Sequence, residues 1–402
     1  MTDFERVRTE LARADAVVVG AGFFGLVIAE RIAESLGRRV VVIDRRSHIG
    51  GNAHSQHFPG TEIEVHTYGT HVFHTSSRKV WEYVNRFSDF SDYRHQVLAA
   101  YDGGIYPMPI NLMTINAFFG TSLSPLEARA FIAAQVAESG VDPDDSLESR
   151  AISLVGRPLY EAFVRGYSEK QWQEDPRNLP AEIINRLPVR FDYRQGYFDD
   201  PWQGQPVAGY TSLCERMVDH PLISLFTGVD YFDIRDHVGA DHRALTVYSG
   251  PLDRFYDDAF GRLSWRTLDF EWEVCDTTDF QGSAVINMSD ASVPYTRVHE
   301  FRHLHPERSH PADCTVIARE FSRAAVTGDE PYYPVNLAED RRRAALYRER
   351  AGTEADVLLG GRLGSYKYLD MDMAIAAALR SFERSIVPWF AGVPLHETLG
   401  RD

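Results

Sequence analysis

The sequence predicts an α/β protein in which a parallel-sheet domain is interrupted by a mainly helical domain and by an antiparallel β-sheet domain. Three observations predict this fold class. A short apolar run at residues 16–19 leads directly into a glycine-rich turn, residues 121–187 have a helical pattern, and residues 240–325 alternate short β-rich runs with turns. Residues 356–379 then return to strand, glycine turn and helix, so we expect the C-terminus to complete the first domain.

The changes of pattern also predict the domain boundaries. The first domain is expected at 1–90, completed by about 200–240 and 335–402; the helical domain, with a mobile loop, at 110–198; and the antiparallel sheet at 91–109 and 241–334. Within that sheet we expect strands at Ala244–Tyr248, Val285–Met288 and Thr315–Glu320.

Composition and charge exclude some classes of binding partner and indicate the cellular compartment. The 402 residues carry a formal net charge of −16, which disfavours nucleic acid and anionic membranes as partners. The three cysteines form no CxxC pair, no run reaches the ~20 apolar residues of a membrane helix, and the charged N-terminus lacks the apolar core of a signal peptide. We therefore expect a cytoplasmic protein. If its ligand is anionic, individual arginines must supply the positive charge locally.

The glycine-rich turn predicts a dinucleotide site. Ala16–Val19 is apolar enough for a buried parallel strand, and Gly20, Gly22 and Gly25 follow with GxGxxG spacing. These glycines permit the tight turn, the approach of the backbone to a pyrophosphate and the close packing of helix on strand. A second apolar run ends at Asp44, about 20 residues further on, where an acidic side chain can bind the adenosine ribose. The first domain is therefore predicted to be Rossmann-like.

Two further glycine turns favour FAD over NAD. Residues 50–52 (Gly-Gly-Asn) lie just beyond the second strand, where another turn adds backbone contacts to the FAD pyrophosphate. Near the C-terminus, a glycine turn at 360–364 precedes a helix-forming segment for which Asp370 or Asp372 is a plausible N-cap. The partial positive charge at the start of that helix would stabilise an anionic reduced flavin.

Several motifs resemble those of the bacterial UDP-galactopyranose mutase family, and they run in family order along nearly the whole chain. They are Gly69–Thr75 (GTHVFHT), Gly166–Trp172 (GYSEKQW, with Ser168 where threonine is more usual), Leu187–Arg190 (LPVR), Val293–Arg297 (VPYTR), Tyr332–Asn336 (YYPVN) and Gly361–Tyr368 (GRLGSYKY). Because several of these motifs are specific to that family, the chain resembles it more closely than it resembles flavoproteins in general.

The resemblance implies an isomerase that interconverts UDP-galactopyranose and UDP-galactofuranose, a precursor of cell-wall polysaccharide. It implies that FAD must be reduced although there is no net redox change. In the family, N5 of the reduced flavin attacks the anomeric carbon, UDP leaves, a flavin–sugar iminium lets the ring open and reclose as a furanose, and UDP returns. The expected partners are the two nucleotide sugars, an external reductant and a second copy of the chain in a homodimer.

The motifs and the resemblance together imply the site residues. Those expected to bind FAD are Gly20, Gly22, Phe24, Gly25, Asp44, Arg45, Gly50, Gly51, Asn52, His71, Arg362, Asp370 and Met371. Those expected to bind the nucleotide sugar are Phe163, Tyr167, Trp172, Arg186, Tyr197, Arg297, Tyr333 and Tyr368. The catalytic residues expected are Arg186, Arg297 and His74.

A nucleotide sugar requires an aromatic face for the base and cations for two phosphates. Trp172 and Phe163 match the base, although without the motif Phe163 would read as part of a core stripe. The planar forks of Arg186 and Arg297 suit the pyrophosphate, with Arg186 on the mobile loop. Arg190 is close enough in sequence to be confused with Arg186, but we expect it outside the phosphate site, where its replacement does less harm.

The histidines need a separate assessment. His71 and His74 have HxxH spacing, but no carboxylate or cysteine at ligand spacing completes a metal site, so none is predicted. We expect both near the flavin, where His74 influences N5 or orients the sugar. The polar stretch that contains His299, His303, His305 and His310 is predicted to be solvated.

Three alternative functions share the dinucleotide site. An FAD-dependent oxidoreductase of the amine-oxidase type would use O2 and an apolar cage in place of the arginines. An NAD(P)H-dependent flavin reductase or monooxygenase would need a second nicotinamide site, and the sequence has one full GxGxxG. A non-enzymatic FAD-binding regulator would leave the substrate motifs without a physical purpose.

Overall fold

A computed structural model describes residues 3–141, 144–186, 188–238 and 243–397. The strands are β1 (Ala16–Val19), β2 (Val40–Asp44), β3 (Ser55–His57), β4 (Glu64–His66), β5 (Phe73–Thr75), β6 (Val97–Tyr101), β7 (Gly104–Met108), β8 (Trp202–Gly204), β9 (Ile223–Thr227), β10 (Leu245–Tyr248), β11 (Trp265–Cys275), β12 (Val285–Met288), β13 (Arg297–Glu300), β14 (Thr315–Ala324), β15 (Tyr333–Pro334) and β16 (Val357–Leu359).

The helices connect and cover these strands. They are α1 (Asp3–Leu11), α2 (Phe23–Leu36), α3 (Arg78–Val84), α4 (Leu112–Phe119), α5 (Pro125–Glu138), α6 (Leu147–Val155), α7 (Arg157–Tyr160), α8 (Gly166–Trp172), α9 (Tyr210–Val218), α10 (Tyr231–Ile234), α11 (Leu252–Phe255), α12 (Ala338–Ala351), α13 (Gly361–Gly364), α14 (Met371–Ser381) and α15 (Val387–Phe390). A π-helical segment, Glu161–Arg165, joins α7 to α8. Within the described segments, every helix is too short or too polar to span a lipid bilayer.

The first domain is a parallel sheet of strand order β16-β10-β1-β2-β9. Its central strands are runs of valine because helices cover both faces of the sheet. Alternate side chains face opposite sides, so that Val18 and Val42 pack in the same core as α2, whereas Val17 and Val41 pack in the same core as α1. The strands come from both ends and the middle of the chain, and the predicted α/β fold class is confirmed.

One strand was predicted in the wrong sheet. Residues 244–248 were expected in the antiparallel sheet, but β10 pairs in parallel with β1 and with β16. All four residues of β10 are buried, and a short apolar run does not by itself distinguish a parallel from an antiparallel neighbour. The antiparallel domain therefore begins after β10.

The second large sheet has the order β15-β11-β14-β13-β12-β6-β7. Its neighbours are antiparallel except for β12 and β6, which run in parallel. Its longest pairing is between β11 and β14, whose register runs from Arg266 opposite Ala324 to Cys275 opposite Thr315. The neighbouring pair β13 and β14 places Arg297 directly opposite Glu320, and this register matters for the site.

The helical domain consists of α4 to α8 packed around its own core, which includes Leu112, Ile132 and Ile152. The chain leaves this domain through residues 188–200, which run back along the start of α4. The N–H of Leu112 donates to the Asp192 carbonyl at 3.1 Å, and this contact ties the returning segment to the helical domain.

Candidate active site

In the turn between β1 and α2, packing within the protein requires glycine at two of the three glycine positions. Gly20 has a φ of +104°, which favours glycine, and a Cβ there would lie 2.2 Å from Ser249 Oγ. A Cβ on Gly25 would lie 2.0 Å from the Gly20 carbonyl oxygen. At Gly22, φ is −86° and the nearest atom to a Cβ would be 3.9 Å away, on Gly51. The fold does not require glycine at Gly22, which instead borders open space.

The second glycine turn lies directly against the first. The Gly50 N–H donates to the Ala21 carbonyl at 2.8 Å. At the end of β2, the Asp44 carboxylate accepts hydrogen bonds from the backbone N–H groups of Ala21 (2.8 Å) and Arg46 (2.9 Å). These bonds fix Asp44 while each oxygen keeps a lone pair for a hydroxyl donor.

A single cavity connects both turns with the C-terminal glycine–helix element. Of the residues predicted to bind FAD, twelve line this cavity: Gly20, Gly22, Phe24, Asp44, Arg45, Gly50, Gly51, Asn52, His71, Arg362, Asp370 and Met371. Gly25 instead packs α2 on β1. The helix α14 begins at Met371, with Asp370 in the N-cap position. The N-termini of α2 and α14 therefore open onto the same space.

The cavity suits FAD. Backbone N–H groups at the start of α2, next to a glycine without a side chain, are the groups that cradle a pyrophosphate. Asp44 is placed for a ribose, and the start of α14 offers N–H groups to the edge of a flavin ring. His71 Nδ1 lies 2.7 Å from the Gly69 carbonyl, so it carries the proton and Nε2 is left as an acceptor. Burial lowers the pKa of His71 to about 4, which keeps its ring neutral.

Sequence reasoning missed one wall of this cavity. Residues 229–232, 249–251 and Glu330 also line it. Glu330 forms ion pairs with both Arg45, at 2.6 Å, and Arg46, at 2.5 Å. It follows the end of β14, and no local pattern connects it to β2.

Arg297 is the centre of a second group of side chains. Its Nη2 donates to the phenolic oxygen of Tyr167, and its Nε lies 3.3 Å from Glu320 Oε1. That Nε is close enough for an ion pair but not aligned for a hydrogen bond. Burial raises the pKa of Tyr167 to about 12 although the charge of Arg297 opposes the rise, so the phenol is neutral.

Further phenols surround this arginine. Burial raises the pKa of Tyr197 and of Tyr333, and the charge of Arg297 acts on both in the opposite direction. The rings of Tyr333 and Tyr368 stack with centroids 5.7 Å apart. Arg362, which lines the dinucleotide cavity, lies over the Tyr368 ring at 4.9 Å. The predicted substrate tyrosines and Arg297 are thus brought together beside the cavity.

A half-buried lysine holds α8 against the antiparallel domain. Lys170 Nζ donates to three carbonyl oxygens, those of Met288 (2.6 Å), Asp290 (2.8 Å) and Tyr295 (3.2 Å). Burial lowers the pKa of Lys170 to about 8. These carbonyls belong to the turn that leads into β13, so the helix that carries Tyr167 is fixed relative to the strand that carries Arg297.

The aromatic residues expected at the base differ in their surroundings. Trp172 ends α8 and is half-buried at the edge of the helical core. The buried ring of Phe163 packs against Tyr106 at 5.0 Å and Phe118 at 5.5 Å. The ring of Phe163 is therefore packed in the aromatic core of the helical domain, and its contact with the base stays a prediction.

The structure describes the side chain of Arg190 but not that of Arg186, the arginine expected on the mobile loop. Arg186 ends a 3-10 turn, Ala181–Arg186, and its side chain lies outside the described residues, so its phosphate contact stays a prediction. Arg190 is only 4% exposed; it donates to the Gly196 carbonyl and, at 3.0 Å, to Asp199. Arg190 therefore anchors the loop, and the expectation that its replacement does less harm to activity than that of Arg186 or Arg297 stays a prediction.

His74 faces the loop instead of the cavity wall. Its Nδ1 lies 2.7 Å from Asp200 Oδ2, and its ring stacks on Phe198 with centroids 3.6 Å apart. His74 lies on β5, which pairs with β8 just after the segment 188–200. Its contact with Asp200 therefore holds the end of that segment against the first domain. The cavity wall receives His71 and not His74.

The prediction that the later histidines are solvated is wrong for two of them. His299 is 0% exposed and His305 is 2% exposed. His303 is half-buried and lies 3.3 Å from Glu300 and 3.2 Å from Asp279. The hydrogen bond to Glu300 raises the pKa of His303. A polar composition along the chain conceals these inward-facing positions.

Comparison with known proteins gives a consistent result. A family model described as UDP-galactopyranose mutase matches residues 162–368, and one described as an NAD(P)-binding Rossmann-like domain matches residues 18–87. The chain is 43% identical to a probable UDP-galactopyranose mutase of Klebsiella pneumoniae, covering 91% of this chain and 93% of that protein. It is 40% identical to the dTDP-fucopyranose mutase of Escherichia coli, covering 90% and 96%. A crystal structure of reduced UDP-galactopyranose mutase superimposes with a TM-score of 0.70 over 96% of both chains at 13% identity, a likeness of fold.

Proposed function

Because the chain belongs to the UDP-galactopyranose mutase family of flavin-dependent isomerases, we propose that it interconverts UDP-galactopyranose and UDP-galactofuranose with FAD in the reduced state. One observation carries the proposal: Arg297 and four phenols lie beside a cavity suited to FAD, joined to it through Arg362 and Tyr368. This arrangement suits an anionic nucleotide sugar whose sugar end reaches the flavin.

The chain's part in holding the cofactor follows from the cavity. The glycine turns and the start of α2 would hold the pyrophosphate of FAD, Asp44 its ribose and the start of α14 its ring system. Reduced FAD would supply a nucleophilic ring nitrogen, N5, for the anomeric carbon of the sugar. Neutral His71 would border the ring without adding positive charge.

The substrate residues act by holding the nucleotide in place. The outer edge of the Arg297 guanidinium can donate two parallel hydrogen bonds to a phosphate. Tyr167, Tyr197, Tyr333 and Tyr368 would add neutral donors, so the pyrophosphate is held by many bonds and little net charge. Retention matters because the nucleotide must stay poised for recapture after it has left the sugar.

The predicted loop residue Arg186 completes the proposed phosphate site. An arginine that arrives after the substrate would exclude water and strengthen each charged contact. Trp172, at the edge of the helical core, is proposed to stack on the base. His74 is proposed to fix the end of the same loop through Asp200.

A second candidate substrate is supported by a specific observation. The similarity to a dTDP-fucopyranose mutase is nearly as high, and as extensive, as the similarity to a probable UDP-galactopyranose mutase. The two substrates differ in the base, in the 2′-hydroxyl of the nucleotide and in the sugar, while the pyrophosphate is common to both. The proposed contacts of Arg297 and the phenols serve either one.

The test is a direct comparison of the two substrates. Dithionite-reduced protein is incubated with UDP-galactopyranose and, separately, with dTDP-fucopyranose, and the nucleotide sugars are separated by anion-exchange chromatography. We expect a new isomer from UDP-galactopyranose, with catalytic flavin and no oxygen uptake, and little product from the oxidised protein. Faster conversion of dTDP-fucopyranose would reassign the substrate, and oxygen uptake without an isomer would instead favour an amine-oxidase-like enzyme.

Three further expectations belong to the same proposal. The protein works in the cytoplasm as a homodimer, and an external reductant keeps its flavin reduced. The product supplies galactofuranose for cell-wall polysaccharide.

A further inference from the structure

A line of polar side chains, of which the middle two are buried, connects the loop before His71 to Arg297. Thr70 Oγ1 lies 2.8 Å from His299 Nδ1. His299 Nε2 lies 3.2 Å from Glu320 Oε2, and Glu320 Oε1 lies 3.3 Å from Arg297 Nε. His299 and Glu320 are 0% and 2% exposed, so water does not compete for the hydrogen bond between them.

The charge states fix the direction of every bond. Burial would raise the pKa of Glu320, but the charge of Arg297 and the hydrogen bonds from His299 and Thr296 lower it to about 2. Burial lowers the pKa of His299, which is therefore neutral and has one N–H. Because an ionised carboxylate only accepts, that N–H is on Nε2, and Nδ1 must accept from the Thr70 hydroxyl.

The same bonds hold the carboxylate in one orientation. Glu320 Oε1 also accepts from Thr296 Oγ1 at 2.9 Å, so both oxygens have partners on the protein. The carboxylate faces the Nε edge of Arg297, while Nη2 of Arg297 contacts Tyr167. The contacts with Glu320 and Tyr167 thus fix the plane of the guanidinium. The edge that faces away from Glu320 is the one that would meet a ligand.

We propose that Thr70 and His299 are positioning residues that orient Arg297 for the substrate pyrophosphate by holding Glu320. The inference rests on the proposed function, since it assumes that Arg297 binds phosphate. Thr70 immediately precedes His71 in the cavity wall, so this relay also sets Arg297 relative to the flavin site.

The test is a double-mutant cycle on nucleotide affinity. The dissociation constant of UDP is measured calorimetrically for the FAD-bound protein and for Thr70→Val, Glu320→Gln and the double variant. Thr70→Val keeps the shape of the side chain and removes the hydroxyl, and we expect it to weaken UDP binding about 3- to 10-fold. In the Glu320→Gln background the same change should have almost no further effect, because the relay is already interrupted.

Two comparisons separate positioning from a general loss of structure. Thr246→Val alters a buried threonine of β10, in the other sheet, and should leave UDP affinity unchanged. His299→Phe should weaken UDP binding as Thr70→Val does, whereas His299→Gln, which still donates to Glu320, should recover part of the loss. FAD content, read from the flavin spectrum, should be unchanged in all variants.

The outcomes are distinguishable. If the unaltered protein fails to bind UDP or dTDP, the proposed function is contradicted. If it binds UDP and Thr70→Val binds equally well, or the effects of Thr70→Val and Glu320→Gln simply add, the relay alone is wrong.

Discussion

Gly22→Ala is expected to weaken FAD binding while leaving the folded apoprotein almost unchanged. The φ of −86° at this position suits any residue, and the nearest protein atom to the new Cβ would be 3.9 Å away. The methyl group would project into the cavity at the N-terminus of α2, where the proposed pyrophosphate approaches the backbone. Gly25→Ala provides the contrast, because its Cβ would lie 2.0 Å from a backbone oxygen.

The expected magnitudes differ for the two variants. In the apoprotein, exchanging glycine for alanine at the N-cap of α2 costs about 0.5 kcal/mol. In the complex, the extra methyl group acts like overpacking, which costs ~1–3 kcal/mol and corresponds to an increase of about 5- to 150-fold in the FAD dissociation constant. At Gly25 no flexible atom can give way, so the protein itself should lose its stability.

The assay separates folding from binding. Each apoprotein is prepared by removing the flavin, its unfolding is followed in urea, and FAD is titrated back by the quenching of flavin fluorescence. We expect Gly22→Ala to unfold with nearly the normal midpoint and to bind FAD weakly, and Gly25→Ala to be unstable or insoluble. Normal FAD affinity for Gly22→Ala, or an apoprotein as unstable as Gly25→Ala, would refute this account of the turn.

Other expectations follow from single contacts. Lys170→Met leaves three carbonyl oxygens without their donor, so UDP should bind about 5-fold more weakly at unchanged FAD content, as measured by calorimetry. Arg190→Met leaves the Gly196 carbonyl without its donor and should lower the free energy of unfolding, measured in urea, by ~1–3 kcal/mol, whereas the exposed Arg177→Met should change it little. The raised pKa of His303 means that its contribution to stability is complete below pH ~6.5 and is lost as the pH rises through the folded-state pKa. His303→Gln should therefore lower the urea midpoint at pH 5.5 more than at pH 8.5.

The part of the cofactor cavity formed by β1, α2 and β2 was predictable because its contacts are local. The strand, the three glycines and Asp44 lie within one βαβ unit, where spacing along the chain translates directly into geometry. The same reasoning failed for β10, since a four-residue apolar run carries no information about its neighbours in a sheet. It also missed Glu330, which lies in the connection between β14 and β15 and forms ion pairs with Arg45 and Arg46.

The substrate-binding residues were predictable only through motifs. A motif identifies a residue but does not show which contacts hold its side chain in place. The motif at Gly166–Trp172 includes Lys170, but its spacing does not reveal three carbonyl oxygens from another domain. For Phe163, helical spacing did not reveal the aromatic rings that pack around its side chain. In both cases the deciding contacts are distant in sequence.

The relay behind Arg297 could have been found by applying the period of a β-strand to the motif that contains it. Side chains two residues apart on a strand share a face, so a functional Arg297 implies that His299 points the same way and is not a solvated residue. An arginine that is partly buried on that face also favours an acidic neighbour, and a cross-strand position is the nearest source. Glu320 occupies that position in the observed register, and His299 lies diagonally from it. A strand motif with one ligand-binding residue therefore predicts a supporting residue at i+2 and an opposite charge across the pair.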